Sequence, residues 1–238
     1  MISQSCLRKA QVLVEMTYVE PPPYFEAVRR ETSTRWDQLE TDPELVGVWQ
    51  QLFRQVQSPR HVVSELLQNA DDAGASEAWL DIDSNNAFIL EHNGADFTED
   101  HFRSLCRFGY SNKRSLFTIG FRGIGFKSTF SLGSPVAVYT PSLAVEFHAH
   151  RFTEPKLIAR DFPFSERTRI TVPIADNHRL KEIEKNFDDW IRSPLSLLFF
   201  RNIRCIHIAG TSLRWILQGV GPVPSSEWVG LDGDDSKR

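Results

Sequence analysis

Residues 65–75, which read ELLQNADDAGA, decide the fold of this 238-residue chain. The spacing of apolar side chains around them predicts a helix over 61–73. Glu65 and Asn69 are four residues apart on that helix, so they share a face, and Asp72 follows one turn later. A neighbouring apolar stripe can pack the helix against a sheet, and it consists of Val62, Leu66, Ala70 and Ala73. The stretch therefore predicts a packed helix that presents a row of polar groups.

The chemistry of that row fits a site for a metal-bound phosphate. An amide oxygen such as that of Asn69 suits Mg2+, a hard cation that prefers oxygen ligands. A carboxylate one turn away, that of Glu65, can polarise a water molecule next to a phosphate. The alternative is the solvated polar face of an ordinary amphipathic helix. The helix by itself does not decide between these two interpretations.

A second stretch, residues 120–128 (GFRGIGFKS), predicts a phosphate-binding loop. Its three glycines allow backbone amides to approach a ligand closely. The helix that we predict over 126–132 begins directly after them and offers its free N–H groups to an anion. The glycine order differs from that of the Rossmann fingerprint, and Phe126 separates Gly125 from the Lys127 that would complete a P-loop. The loop therefore belongs to neither of those two kinds.

The charge distribution points to the same part of the chain. The net charge is −4, with 31 acidic and 27 basic residues. No acidic residue occurs from Arg103 to Val145, and the basic residues of this window are Arg103, Arg107, Lys113, Arg114, Arg122 and Lys127. Such a window in an acidic chain favours a site for one compact anion, although a chance run of solvated charges is the alternative. The acidic remainder argues against direct binding of nucleic acid.

The cysteines and the apolar runs bear on the compartment. Cys6, Cys106 and Cys205 are few, far apart and odd in number, without zinc-ligand spacing or a CxxC pair. This usage favours a reducing compartment. The first residues lack the apolar core of a signal peptide, and no run of about 18 apolar residues occurs. We therefore expect a cytoplasmic protein that does not span a membrane.

Composition divides the chain into three predicted segments. Residues 1–30 form an N-terminal extension, because the three prolines at 21–23 interrupt regular structure. Residues 31–218 form the folded domain. Residues 219–238 are rich in Gly, Pro, Ser and Asp and form a flexible tail.

The order of predicted elements favours an α+β fold. A helix is predicted over 36–57, with Asp42 as an N-cap residue before Pro43. A short helix is predicted from Thr98 to Cys106, and an amphipathic helix over 179–190. Strands are predicted over 79–82, 88–90, 136–139, 145–148, 169–172, 203–208 and 213–217. Because helices do not alternate regularly with strands, the order fits a two-layer α/β sandwich better than a Rossmann series.

Taken together and in this order, the motifs resemble those of the GHKL ATPase superfamily, which includes gyrase, the large heat-shock chaperones and histidine kinases. Within it, the chain is most similar to the sacsin-like, chaperone-type ATP-binding domain. The resemblance covers about residues 36–210. It is carried by ELLQNADDAGA (65–75), His92-Asn93-Gly94 with Phe97-Thr98, GYSNK (109–113) and IGFRGIGFKSTF (119–130). It implies the GHKL, or Bergerat, form of the sandwich, with a mixed, mostly antiparallel sheet covered by helices.

The resemblance also implies a role for each candidate residue. Glu65 would be the general base that aligns water, and Asn69 would bind both Mg2+ and the nucleotide. Asp72 would lie near the base and ribose, and Thr168 would support the adenine end. The phosphates would be cradled by Gly120, Gly123, Gly125, Phe126 and Lys127. A mobile lid would include Ser111 and Lys113.

One string departs from the family pattern. Residues 92–96 read HNGAD, where the chaperone pattern has an adenine-reading aspartate in a DxGxG string. Asn93 is the predicted base-edge contact, with Asp96 as the alternative. For His92 we favour a structural role in a turn over a catalytic role. Thr168 also lacks the glycine that usually precedes the corresponding threonine.

The resemblance implies a Mg2+-dependent ATPase that drives conformational change, as in chaperones and clamp proteins. The alternative is an ATP-binding switch or interaction module with little or no turnover. Glu65 disfavours a histidine kinase, because that branch has asparagine at the corresponding position. Related proteins also bring a basic residue from a following domain to the γ-phosphate, so we expect slow turnover for this chain alone. A nucleotide-dependent homodimer or a larger assembly is implied by the resemblance only.

Overall fold

A nine-stranded sheet with helices packed against it organises the part of the chain that the structure describes. The computed structural model describes residues 19–55, 59–107, 125–160, 162–163 and 165–234. The α-helices of this part are α1 (Phe25–Glu40), α2 (Pro43–Gln55), α3 (Pro59–Asp72), α4 (Glu99–Leu105) and α5 (Asn177–Arg192). Short 3-10 helices span Gly125–Ser131, Ala149–Arg151 and Pro194–Phe199. The strands are β1 (Glu77–Ile82), β2 (Ala87–His92), β3 (Val136–Thr140), β4 (Leu143–Phe147), β5 (Lys156–Leu157), β6 (Thr168–Pro173), β7 (Cys205–Ile208), β8 (Thr211–Val220) and β9 (Glu227–Asp234).

The sheet is mixed but mostly antiparallel. Its strand order is β5-β4-β3-β6-β2-β1-β7-β8-β9. Every neighbouring pair in that order is antiparallel except β1 and β7, which are parallel. Alternate residues of the central strands are fully buried, as expected for a sheet with helices on one face. The predicted α+β class and the mixed, helix-covered sheet are confirmed.

Aromatic side chains fill the layer between the N-terminal helices and the sheet. Phe53 of α2 stacks on Phe152, with ring centroids 4.1 Å apart, and meets Phe130 edge-on at 5.3 Å. Trp36 of α1 packs edge-on against Phe152 at 5.3 Å and donates its indole N–H to Thr153 Oγ1 at 2.8 Å. Because the buried indole N–H has a partner, this tryptophan adds apolar area without leaving a polar group unsatisfied.

The N-terminal helices differ from the sequence expectation in two respects. Asp42 caps α2 as predicted, by accepting the backbone N–H groups of Glu44 and Leu45, but residues 36–40 belong to the separate helix α1, so the segment predicted as helical over 36–57 is divided between two helices. Upstream, α1 begins at Phe25, whose side chain is fully buried, so the predicted boundary after residue 30 falls inside a core helix. The apolar periodicity of α1 is hard to recognise in the sequence, because its buried face also includes a polar residue, Thr32.

The C-terminal part is more regular than the composition predicts. Strands β8 and β9 pair over most of their length, so the segment predicted as a flexible tail contributes an edge strand. The turn between them is held by a hydrogen bond from the Gly221 N–H to the Ser226 carbonyl, 2.7 Å long. Among the described residues, no helix combines the length and the apolar character needed to cross a bilayer.

Candidate functional site

Helix α3 holds the predicted polar row in place. Its buried side chains are Val62, Val63, Leu66, Leu67, Ala70 and Asp71, and they form the face toward the core. Glu65, Asn69 and Asp72 are half-buried and lie beside that face. The Glu65 carboxylate forms no hydrogen bond or ion pair with another residue that the structure describes. A half-buried carboxylate without a partner in the described part of the chain remains able to accept a hydrogen bond from a ligand or a water molecule.

Gly125 brings the second motif against Glu65. A Cβ atom added at Gly125 would lie 3.3 Å from Cδ and 3.6 Å from Cβ of Glu65, and closer still to a carboxylate oxygen. Gly125 also begins the 3-10 helix that ends at Ser131, and α3 packs against this helix. The end of the glycine loop and the carboxylate are therefore neighbours, and only glycine leaves the carboxylate where it is.

Four of the candidate residues cannot be placed. Ser111, Lys113, Gly120 and Gly123 lie outside the described residues. Their roles in the lid and the phosphate cradle stay predictions.

Phe126 and Lys127 both point into the core. The Lys127 ammonium donates to the backbone carbonyl of Leu105, at the end of α4, and lies 5.0 Å and 5.5 Å from the ring centroids of Phe126 and Phe147. Burial lowers the pKa of Lys127 to about 8. In this arrangement its ammonium is engaged by the Leu105 carbonyl in the core, so any contribution of Lys127 to phosphate binding here would come from its backbone.

The buried ammonium gives a prediction about stability. Below pH 8, the folded chain bears the cost of a buried cation, and this cost is relieved as pH rises toward the unfolded-state value of 10.5. We expect the stability of wild type relative to Lys127→Met to rise by roughly 3 kcal/mol between pH 7 and pH 10.5. Urea titrations across that range measure the difference. The exposed Lys185→Met serves as control, and a difference that does not change with pH would contradict the burial of this charge.

His92 closes the turn that follows β2. The residue is 7% exposed, and its Nδ1 accepts the backbone N–H of Gly94 at 3.1 Å. Burial lowers the pKa of His92 to about 4, so the ring is neutral near pH 7. These contacts give His92 a definite role in the turn.

The two predicted base-edge contacts are engaged with the backbone. Asn93 Oδ1 accepts the N–H groups of Ser76 and Glu77 at 2.9 Å and 3.0 Å, and its Nδ2 donates to Ser76 Oγ. Asp96 accepts the N–H groups of Phe97 and Ser142 at 2.7 Å and 3.0 Å. Both side chains therefore anchor the segment after β2, and base reading by either of them stays a prediction.

Thr168 is a buried residue at the start of β6, and its support of the adenine end stays a prediction. It is the first residue of β6, it is 2% exposed, and it is the register partner of His92 on β2. Thr168 and His92 are thus neighbours on the core-facing side of the sheet.

Asp71 is important to the site's support, and sequence reasoning missed it. Its two carboxylate oxygens accept the backbone N–H groups of Arg201, Asn202 and Ile203 at 3.1, 2.7 and 2.9 Å. Asn202 also donates its Nδ2 to the Asp71 carbonyl at 2.8 Å. The signal was present, because Asp71 follows Leu67 at helical spacing and so falls on the apolar face.

The described residues contain no group of three or more His, Cys, Asp or Glu side chains placed to hold a metal ion. This arrangement still fits Mg2+ with a nucleotide, because Mg2+ commonly takes only one or two protein ligands and completes its shell with phosphate oxygens and water. Asn69 would be the protein ligand in such a shell.

Comparison with known proteins gives partial similarities. No known family model matches the chain. Over 89 residues, or 34% of this chain, it is 36% identical both to Protein MICRORCHIDIA 1 and to Protein MICRORCHIDIA 3 of Arabidopsis thaliana. Over 178 residues, or 61% of this chain, it is 28% identical to Protein NO VEIN of the same plant. The matches span 14%, 15% and 6% of those three proteins, respectively, so the chain corresponds to a small part of each relative.

Proposed function

We propose that this chain is a Mg2+-dependent module that binds and hydrolyses ATP. The observation that carries the proposal is the Glu65 carboxylate, which has no partner among the described residues and lies against Gly125 at the end of the glycine loop. A carboxylate next to the place where the glycine loop ends and a 3-10 helix begins can accept a proton from water beside a bound phosphate. The carboxylate belongs to α3 and the glycine to the loop, so neither element alone supplies both.

The described residues would divide the work along α3. Glu65 would orient the attacking water and accept its proton. Asn69, one turn further, would hold the metal ion that accompanies the phosphates, and Asp72 would lie toward the ribose. The metal ion would neutralise charge on the phosphates, as it does in phosphoryl-transfer sites generally. Asp71 would keep α3 in position from its buried side.

The partial relatives support the same class of function. Similarity to two MICRORCHIDIA proteins over a third of this chain supports an ATP-binding module. Three finer points are part of the proposal. The module would be a conformational ATPase of the chaperone or clamp type, and this chain alone would hydrolyse ATP slowly. It would act as a homodimer or within a larger assembly.

The proposal is tested by measuring Mg2+-ATP binding by calorimetry, with and without EDTA. We expect wild type to bind in the presence of Mg2+, and Asn69→Ala to bind about tenfold more weakly or worse, because one oxygen ligand of the metal ion is lost. The exposed Asn177→Ala is the matched control and should bind as wild type does. Failure of the folded wild-type chain to bind ATP would overturn the proposal. Binding without hydrolysis would favour the switch module instead.

A further inference from the structure

Large apolar side chains are exposed mainly at one end of the sheet. Ten of them are exposed among the described residues, and eight of these ten lie between residues 195 and 228. The eight form what we call the C-terminal patch, and they are Leu195, Leu198, Phe199, Ile216, Leu217, Val220, Val223 and Trp228. The 3-10 helix Pro194–Phe199 packs against both β8 and β9, so its exposed side chains adjoin those of the two strands. Single exposed apolar residues are ordinary, but a cluster of them marks an interaction site.

The area of the C-terminal patch is that of a protein interface. Phe199 is 77% exposed, Val220 is 85% exposed and Trp228 is 60% exposed. With about 150–200 Å² for a fully exposed side chain of this size, the eight residues present about 800 Å² of surface. The largest apolar patch of a typical monomer measures about 300–600 Å², and one side of a standard protein interface about 800 Å². The patch therefore fits a macromolecule better than a small ligand.

Four of the eight side chains lie on a two-stranded ribbon that continues beyond the end of β7. Strand β7 pairs with β8 only as far as Arg214, and the Trp215 N–H donates to the Arg204 carbonyl at 2.8 Å just before β7 begins. Residues 216–220 and 227–230 then form the ribbon. Ile216 and Leu217 are successive, so they point to opposite faces of the ribbon, and both are exposed. Because a ribbon of two strands is only marginally stable in water, a further strand would stabilise it.

The outer edge of β9 offers backbone groups to such a strand. In the described part of the chain, β9 is the last strand of the sheet. Trp215 directs its N–H toward the start of β7, so the next residue, Ile216, directs its backbone groups toward its register partner Gly230 on β9. Val229 and Leu231, on either side of Gly230, therefore direct their backbone groups to the outer edge. An edge of this kind is a template for pairing with another chain.

The charges of β9 determine the chemistry of the partner. Strand β9 contains Glu227, Asp232 and Asp234 and no basic residue, and β8 adds one base, Arg214. A second copy of this edge, an anionic lipid surface and a nucleic acid would each bring like charges together. Residues opposite each other on neighbouring strands interact directly, and opposite charges there are favourable. A matching strand therefore has basic residues opposite the acidic ones and apolar residues opposite residues 228–231.

We propose that the C-terminal patch binds an extended segment of another protein, which adds to the edge of β9 as a further strand and has an apolar centre flanked by Lys or Arg. The backbone of this segment pairs with Val229 and Leu231, and its apolar centre covers Trp228. Backbone pairing supplies affinity, and the side chains opposite β9 supply specificity. The proposal is independent of the proposed ATP site, because no candidate nucleotide contact lies on β8 or β9.

The test selects random twelve-residue peptides, displayed on phage, against the immobilised wild-type chain. We expect the enriched peptides to contain about four consecutive apolar residues with Lys or Arg on both sides. Val229→Pro removes an outward N–H and spares the hydrogen bonds to β8, whereas Val229→Thr is close in shape and keeps that N–H. Fluorescence anisotropy of an enriched peptide should show about fivefold weaker binding or worse for Val229→Pro and a change of less than about threefold for Val229→Thr, as loss of one hydrogen bond predicts.

A second variant tests the charges and leaves the backbone intact. Glu227→Arg should weaken binding of the same peptide by about fivefold or more, because a favourable cross-strand charge pair becomes a repulsive one. The exposed Glu184→Arg on α5 makes the same change in net charge outside the patch and should bind as wild type does.

The contrary outcomes are equally definite. Failure to enrich any peptide, enrichment of peptides without basic residues, or equal binding by a folded Val229→Pro variant would overturn strand addition at β9. A wild-type dimer in ultracentrifugation that Val229→Pro dissociates would assign the patch to a second copy of this chain and also overturn the proposal. If circular dichroism shows that Val229→Pro does not fold, the comparison of Glu227→Arg with Glu184→Arg decides the question.

Discussion

Replacing Glu65 with glutamine is expected to lower the rate constant of ATP hydrolysis by about 100-fold or more, while the affinity for Mg2+-ATP changes by less than about threefold. Glutamine keeps the size of the side chain and its carbonyl acceptor, but it cannot take a proton from water. The loss should therefore fall on the chemical step and spare binding. Phosphate release measures the first quantity, and calorimetry with a non-hydrolysable analogue measures the second.

The position of Gly125 provides an independent test of the same carboxylate. Gly125→Ala leaves Glu65 chemically unchanged, but the new Cβ overlaps a carboxylate oxygen and must displace it. Hydrolysis should fall by about tenfold or more, because a base moved from its water loses its catalytic advantage. The exposed Glu184→Gln on α5 controls for the loss of one charge and should hydrolyse as wild type does. Hydrolysis by Glu65→Gln at the wild-type rate would remove Glu65 as the base.

Replacing Asp71 with alanine is expected to lower the free energy of unfolding by about 3–5 kcal/mol. The substitution leaves three backbone N–H groups at residues 201–203 without their acceptor, and that of Ile203 is buried in the core. Buried donors without partners are among the few causes of large single-residue losses. Urea denaturation, with the exposed Asp188→Ala as control, measures the change.

A graded result is expected from Asp71→Asn. The amide keeps one acceptor oxygen, but it presents an NH2 group to a backbone N–H, so the loss should be smaller than that of alanine and still exceed about 1 kcal/mol. The control should stay within about 0.5 kcal/mol of wild type. If alanine at position 71 cost no more than the control, the link between α3 and the segment before β7 would carry no stability.

The periodicity of apolar residues predicted most of the helices and strands. It failed where an element is stabilised by contacts with distant parts of the chain and not by its own apolar pattern. The strands predicted from residue 79 onward each overlap an observed strand, because their apolar residues alternate with the period of a half-buried sheet. Strand β9 was missed, since its glycines and acidic residues obscure that alternation and its stability comes from pairing with β8. Strand β5 was missed because it has only two residues.

For the candidate site, the sequence predicts which residues share a face of a helix, but it does not predict what their side chains contact. The spacing of Glu65 and Asn69 places them on one face of α3 without any structure. It cannot show that the Asn93 amide binds the start of β1, because Ser76 and Glu77 are on another element. Nor can composition show that the basic Lys127 points toward Leu105 in the core, since only packing determines which way a long side chain turns.

Asp71 and Asp72 are consecutive and chemically identical, yet Asp71 is buried and supports the fold, whereas Asp72 is half-buried beside that face. Only the rotation of about 100° per residue around the helix axis separates the two roles. Deletion of one residue between Leu66 and Asp71 would move Asp71 to the buried position of Ala70, where it has no backbone donors, and would move Asp72 to the position of Asp71. Insertion of one residue would move Asp71 to the half-buried position of Asp72 and leave the N–H groups of residues 201–203 without their acceptor. This segment should therefore tolerate no change in length, unlike the loops that join the strands.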